Sequence, residues 1–428
     1  MFLSFPKVNI PVNGIERVRL PEMVPIYQRF DREKVEHPVP FLRERVNERI
    51  PHNGNWTGKE IAITVGSRGI PQLQELVRTL CDVLKEWGAR PFVVPAMGSH
   101  GGAAAEGQRS ILAEYGLTEE TLDVPIRSSM EVVEYGRLEG TPLYCDKAAF
   151  VSDGIVVFNK VKPHTEFRGD HESGLAKMIA IGLGNHQGAS QFHSFGFERF
   201  PDLLPQVAEI FLKTGKLAFG VGVVQNAYDE INCIDVCTPD GLLEMDRRLL
   251  RRAKEKMGRL LFDHIDLLII DEIGKNISGT GCDPNVVGRN LSGTFHGMLD
   301  LKKLFVRSIT AESHHSGIGL GMADITTRDC LEQVDWEVTW ANALTTGSMQ
   351  GGRIPLYAND DRQAILQCLA TCGRSDPERP RIVRIKNTLC LDKIQVSLPL
   401  YESIQNQPGI EWAGPPVPMC FDSNGRLQ

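Results

Sequence analysis

The segment EIAITVGSRGIPQLQELVRTLCDVLKEWGARPFVVPAMGSHGG (residues 60–102) decides the fold. Its opening run, EIAITVG, is short, apolar and closed by glycine, as in a strand buried on both faces. Leu73, Leu76, Val77, Leu80, Val83, Leu84 and Trp87 then recur on one helical stripe. Pro71 suits the first turn of that helix and Gly88 its exit. ARPFVVPAMG (89–98) returns to the strand pattern and runs into GSHGG, and a shorter helix ends near Gly116. Strand, helix and strand at this spacing make a βαβ unit of a parallel sheet.

A third buried strand, GIVVFNKV (154–161), leads directly into Pro163 and His164. Ligands of open parallel sheets sit at the carboxyl ends of the strands. Arg68, His100 and His164 each fall just past such an end, which predicts one shared cleft. Further on, a long helix over 242–257 precedes the strand IDLLIIDEIG (265–274), and LFVRSIT and the helical DRQAILQCLATCG continue the alternation. The expected architecture is α/β, with two α/β domains on mainly parallel sheets. The N-terminal domain is expected over 1–260 and the C-terminal one over 261–428, with the proline-rich tail packing back on the first.

The chain's 428 residues exceed what one core usually organises. A net charge of −7 speaks against a nucleic-acid partner. The basic run RRLLRRAKEKMGR (247–259) carries leucines at helical spacing and reads as the solvated face of an amphipathic helix. Ten cysteines without a C-x-x-C pair fit reduced thiols and a cytoplasmic protein. The start lacks a secretory pattern, and no window reaches the ~18 apolar residues of a membrane span.

Chemistry concentrates in KPHTEFRGDHESGLAKMIAIGLGNHQGASQFH (162–193), which holds four of the eleven histidines. Histidine titrates near neutrality and is the commonest metal ligand. His164, Lys177 and His193 stand out here, with His171 and His186 as lesser candidates; zinc on His164, His171 and His193 is one reading, although most zinc sites use tighter pairs. The loop GSHGGAAAEGQ (98–108) resembles a phosphate cradle, with Gly98, Ser99 and Gly101 giving close backbone approach, but it lacks the lysine of a P-loop. GKNISGTGCDPNVVGR (274–289) follows a strand as a binding loop should, and Lys275, Asn276, Asp283, Asn285 and Arg289 are its polar candidates. ESHHSGIGLGMADITT (312–327) has similar character and less to assign.

This ordered set resembles the nickel-pincer nucleotide-dependent lactate racemase family, over most of the chain and best in the first domain. The resemblance implies two α/β domains with the active site in the cleft between them. It also implies a pyridinium mononucleotide that binds nickel through a ring carbon and two sulfur atoms. By position, Arg68 in VGSRGIP resembles the family's substrate-contacting arginine. His100 in GSHGG and His164 in KPHTEF resemble its acid–base pair, Lys177 the cofactor-anchoring lysine and His193 the fourth nickel ligand. Val65 stands where the family carries an aspartate, and Ser67 and Gly69 where it has threonine and proline. The stretch with Asp170, His171 and Glu172 is an insertion. Gly288 and Leu291 fall near the family's substrate-holding glutamine and lysine, and Arg289 is expected to substitute for them.

The implied reaction is racemisation or epimerisation of a 2-hydroxy acid by proton-coupled hydride transfer through a 2-keto acid. His100 and His164 handle the hydroxyl proton on opposite sides, and Arg68 pairs with the carboxylate. The implied partners are a small hydroxy acid and the enzymes that make and insert the cofactor, with neither nucleic acid nor membrane. Alternatives are a sugar or sugar-acid epimerase on the same cofactor, a non-catalytic nickel-nucleotide-binding protein, and a zinc hydrolase.

Overall fold

The computed structural model describes residues 3–52, 55–295, 297, 299–373 and 376–428. The chain forms two compact units, Asp31–Met257 and Gly258–Gln428, the second joined by the N-terminal segment up to Phe30.

In the unit Asp31–Met257, the sheet order is Arg90–Pro95, Glu60–Val65, Gly154–Lys160, Leu217–Gln225 and Ile231–Cys237. The first four strands are parallel and the last is antiparallel. Both faces are covered, which is why the strands read as continuous apolar runs. Ile61, Ile63 and Val65 pack with Leu76, Val77 and Leu80 of the helix Leu73–Glu86 on one face. Ala62, Phe92, Val94, Ile155 and Val157 pack with Leu175, Met178 and Leu249 on the other. Each such fully buried side chain contributes about 1.5–3 kcal/mol. Gly88 leaves the helix Leu73–Glu86 at φ +84°, as expected. Pro71 does not open it: Gln72 turns through φ 57° and the helix begins at Leu73.

The helix Leu242–Lys256 buries Leu242, Met245, Leu249, Leu250 and Ala253. Its basic face is taken up by carboxylates: Arg248 pairs with Asp235, Arg252 with Glu33, and Lys256 with Asp31 and Glu33. A hairpin, Val132–Leu138 with Thr141–Asp146, completes the unit's strands.

In the other unit, the sheet order is Leu356–Ala358, Ile325–Thr327, Asp300–Val306, His264–Ile270, Ile382–Ile385, Lys393–Ser397, Glu22–Gln28 and Ile410–Trp412. The first five strands run parallel, and the remainder pair antiparallel. Two expectations differ from this. The first thirty residues belong with the C-terminal half, because Glu22–Gln28 pairs with Lys393–Ser397. The tail likewise adds Ile410–Trp412 and Val417–Pro418 to Glu22–Gln28, within its own unit rather than on the first domain. Among the described residues, no helix is long and apolar enough to cross a membrane, and all ten cysteines are free thiols.

Candidate active site

Register places the site. Val65 pairs with Pro95 and Ile63 with Val156, so three neighbouring parallel strands end at one edge of the sheet. Arg68, His100 and His164 are carried just beyond those ends.

The loop holding His100 is fixed by close backbone crossings. A Cβ on Gly101 would lie 2.6 Å from the Gln108 nitrogen, and Gly101 itself turns through φ +67°. The buried Gln108 amide donates to the Gly98 carbonyl at 2.9 Å. The helix Ala105–Glu114 that follows has no side-chain cap at its N-terminus. Its first N–H groups therefore have no capping side chain, and an anion would satisfy them. The His100 Nδ1–H donates to the Met97 carbonyl at 2.8 Å, with the Ser67 hydroxyl 3.2 Å from the same nitrogen. A carbonyl only accepts, which assigns the proton to Nδ1 and leaves the lone pair on Nε2.

The stretch after the third strand is organised by two buried acids. Glu172 accepts from the His164 N–H at 2.7 Å and the Gly169 N–H at 3.2 Å, and pairs with Lys254 at 2.6 Å. Asp246, buried on the helix Leu242–Lys256, holds His171 Nδ1 at 2.8 Å and accepts from the Leu175 N–H. The inserted His171 and Glu172 thus shape the loop. Among the described residues, no group of three or more His, Cys, Asp or Glu side chains is placed to hold a metal. His164, His171 and His193 are therefore not gathered into such a group, and the zinc reading has no support from their placement.

Lys177 ends a short helical turn, Leu175–Lys177, and a π-helical turn, Met178–Gly182, follows at once. Such turns occur frequently at functional sites. This one is wedged against the strand ends: a Cβ on Gly182 would lie 2.7 Å from the Ala96 carbonyl oxygen, and the Gly98 N–H donates to the Gly182 carbonyl at 3.1 Å. The lysine, the His100 loop and the Arg68 loop are thereby drawn to one place.

The ring of Phe197 stands 6.2 Å from that of His164 and 5.7 Å from that of His193. His164 also packs on Phe167 at 4.3 Å, and its Nδ1 accepts from the Glu166 N–H at 3.0 Å. A neutral His164 ring accordingly keeps its proton on Nε2. His193 is set the other way: its Nδ1–H donates to the Ala189 carbonyl at 2.7 Å, leaving the Nε2 lone pair. Metal-binding histidines are oriented in this manner, with the second ring nitrogen donating to a carbonyl.

The electrostatics tie these groups together. Burial, followed by the charges of Lys177, Lys162, His193 and Arg168, holds His164 well below the ordinary imidazole range. Burial also lowers His193, and the Lys177 charge adds to this. Lys177 is pushed down to about 8, first by burial and then by Arg68 and Lys162. Arg68 is lowered by desolvation although the residue is exposed to solvent.

Arg68, His164, Lys177 and His193 thus act on one another directly or in sequence, and His100 joins them through the aligned strand ends and the Gly98–Gly182 bond. The sequence assigns no role to Lys162, Ser67, Glu172, Asp246 or Phe197, although Ser67 and Glu172 stand out as departures from the family pattern. The first two flank chosen residues in sequence; Asp246 and Phe197 carry no local signal.

Arg289 lies in the other unit. Its guanidinium donates to Asp324 at 2.7 Å and to the Lys302 carbonyl at 2.9 Å. Nearby, Asp283 caps the turn Pro284–Val287, and Asn276 accepts from the Thr310 hydroxyl at 2.7 Å. These residues, expected to face a ligand, hold their own loop in shape.

No protein-family model and no curated protein matches the chain. Among solved structures, it is similar to a structural-genomics target from Thermotoga maritima, with a TM-score of 0.48 and 12% identity over 73% of this chain and 81% of that one. It is also similar to the lactate racemase apoprotein from Thermoanaerobacterium thermosaccharolyticum, with a TM-score of 0.45 and 16% identity over 85% of this chain and 83% of that one.

Proposed function

We propose that the chain is a racemase or epimerase of 2-hydroxy acids that works with a nickel-pincer nucleotide. The observation that carries this reading is the convergence of Lys177, whose pKa burial and the Arg68 and Lys162 charges lower to about 8, and His193, whose Nδ1–H is held by the Ala189 carbonyl so that the lone pair lies on Nε2. A lysine close to neutral is a usable nucleophile for a covalent anchor. A neutral imidazole with its other nitrogen tied to a carbonyl suits nickel. These residues fit the group: Lys177 would anchor the nucleotide, His193 would ligate its nickel, and the Gly98, Ser99 and Gly101 loop would face its phosphate. When bound, the nucleotide supplies a hydride acceptor, which spares the substrate a carbanion beside its carboxylate.

The chain's own side chains do the rest. Arg68 makes no salt bridge or side-chain hydrogen bond among the described residues, so its planar fork is available to a carboxylate. The Nε2 lone pair of His100 accepts the hydroxyl proton of one stereoisomer. His164, once protonated to the imidazolium, donates to the oxygen of the planar 2-keto acid on the way to the other and returns to the neutral ring. A bound carboxylate offsets the cations that hold His164 neutral, which raises its affinity for that proton.

The test is a screen of single enantiomers of 2-hydroxy acids for loss of optical activity, with nickel-loaded protein and with Arg68→Lys. A lysine keeps the charge and loses the bidentate geometry. Arg68→Lys is expected to raise KM about tenfold or more, as loss of one charge-assisted hydrogen bond implies. Unchanged kinetics would remove Arg68 from the site.

A further inference from the structure

The helical turn Leu175–Lys177 is too short to hold itself in place. Three residues build no hydrogen-bond ladder of their own, and Gly174 before them offers no side-chain cap. The cap comes from a distant helix: Asp246, on Leu242–Lys256, accepts from the Leu175 N–H. The other carboxylate oxygen meets His171 Nδ1 at 2.8 Å. A Cβ on Gly174 would run into the same carboxylate, so a glycine there is what lets Asp246 reach the turn. The Gly174 carbonyl accepts in turn from the Asn159 amide at 2.8 Å and from the Met178 N–H at 3.0 Å. Beyond Lys177, the turn Met178–Gly182 is wedged against the strand ends. The lysine backbone is thus gripped on both sides.

An aspartate is a costly choice for position 246. It is buried, and among the described residues its one ion-pair partner is His171. A carboxylate out of water is unfavourable unless its oxygens are occupied. An apolar residue would suit that face of the helix, which also buries Leu242, Met245, Leu249 and Leu250. It would, however, leave the buried Leu175 N–H without this acceptor. The acid is therefore matched to the turn it caps rather than to the helix that bears it. Leu175 lies only two residues from Lys177, so a shift of its peptide is passed on to the lysine.

We propose that Asp246 is a positioning residue for Lys177: through the Leu175 N–H it fixes the turn that carries the lysine, while His171 steadies the carboxylate. The use made of that placement rests on the reading of Lys177 as the cofactor's anchor. The placement itself needs no cofactor, and neither does its test.

The experiment is trace acetylation of the full-length apoprotein with acetic anhydride, from neutral pH to 10.5. Peptide mass spectrometry reads Lys177 against Lys213, an exposed lysine in the same sample. A neutral amine is the nucleophile, so labelling rises with pH and levels off above the pKa. In the unmodified protein it is expected to level off above about 8. In Asp246→Ala the turn loosens and water reaches the lysine, so the plateau moves upward. Labelling at pH 8 then falls about fivefold or more, as a rise of about one pKa unit implies. Asp246→Asn should restore the original profile, since its amide oxygen still accepts from Leu175 and its NH2 donates to a neutral His171. Glu255→Gln, which removes an exposed carboxylate from the same helix, should leave it unchanged. A residue that merely held the fold together would lower the thermal midpoint without moving the profile. Circular dichroism checks that each variant is folded. Where Asp246→Ala is not, Gly174→Ala decides, because its added methyl displaces the Asp246 carboxylate from the turn. A folded Asp246→Ala or Gly174→Ala with the unmodified profile would overturn the proposal. So would an Asp246→Asn as impaired as Asp246→Ala, which would make charge rather than the hydrogen bond the cause. A chain that never takes nickel can still show the effect, whereas a nickel-loaded racemase without it defeats this proposal alone.

Discussion

His164→Ala is expected to lower racemisation by about 10²–10⁴-fold, the usual worth of a positioned proton-transfer group. The loss must be equal in both directions, because two enantiomers have the same free energy and kcat/KM forward and backward are locked together. A single turnover is not so constrained. With His100 intact, one enantiomer should still yield its 2-keto acid, which can be trapped as a hydrazone, while the other yields none. His100→Ala should reverse the preference. This follows from giving each ring the hydroxyl proton of one stereoisomer, with the Met97 carbonyl holding the His100 proton on Nδ1 and leaving its Nε2 lone pair for that role. Loss of both half-reactions to the same extent in His164→Ala would mean that the two rings do not serve opposite faces.

Lys177→Met should stabilise the apoprotein. The direction comes from linkage. A lysine with an ordinary pKa of 10.5 in the unfolded chain sits at about 8 in the folded one. Below about 8 both states carry the proton, and the folded state bears the full cost of a desolvated charge. From there up to 10.5 the unfolded chain binds the proton that the folded chain has released, so stability rises with pH. The difference amounts to about 3 kcal/mol at neutral pH. Thermal midpoints of the apoprotein should therefore climb between pH 8 and 10.5, and Lys177→Met should be higher at pH 7 and lack that climb. Equal midpoints for the two proteins across this range would show that Lys177 is not under strain.

The parts of the fold that local pattern encodes were legible. The stripe from Leu73 to Trp87, the exit at Gly88 and the three strand ends follow from side-chain period and glycine alone. Pairing between distant segments has no such signature: Glu22–Gln28 adds to Lys393–Ser397 across most of the chain, and nothing within either segment announces it. The same holds for the supports of the site. Asp246 lies in a basic amphipathic helix, where an aspartate reads as one more solvated residue, yet it is buried and fastens a histidine 75 residues away. Arg289 is the opposite case. A polar loop looks like a binding loop by composition, but loop carbonyls and Asp324 take up its donors. Ring tautomers depend on single backbone groups at hydrogen-bond distance and cannot be read from residue types.

In the proposed function, Lys177 and His193 hold one nickel nucleotide between them. Intact-mass spectrometry with metal analysis tests it, on protein co-expressed with the cofactor's biosynthetic enzymes. A nucleotide-sized adduct on Lys177 with stoichiometric nickel is expected, with no adduct in Lys177→Met and an adduct without nickel in His193→Ala. Neither adduct nor nickel, from cells in which a known nickel-pincer racemase is loaded, would contradict it.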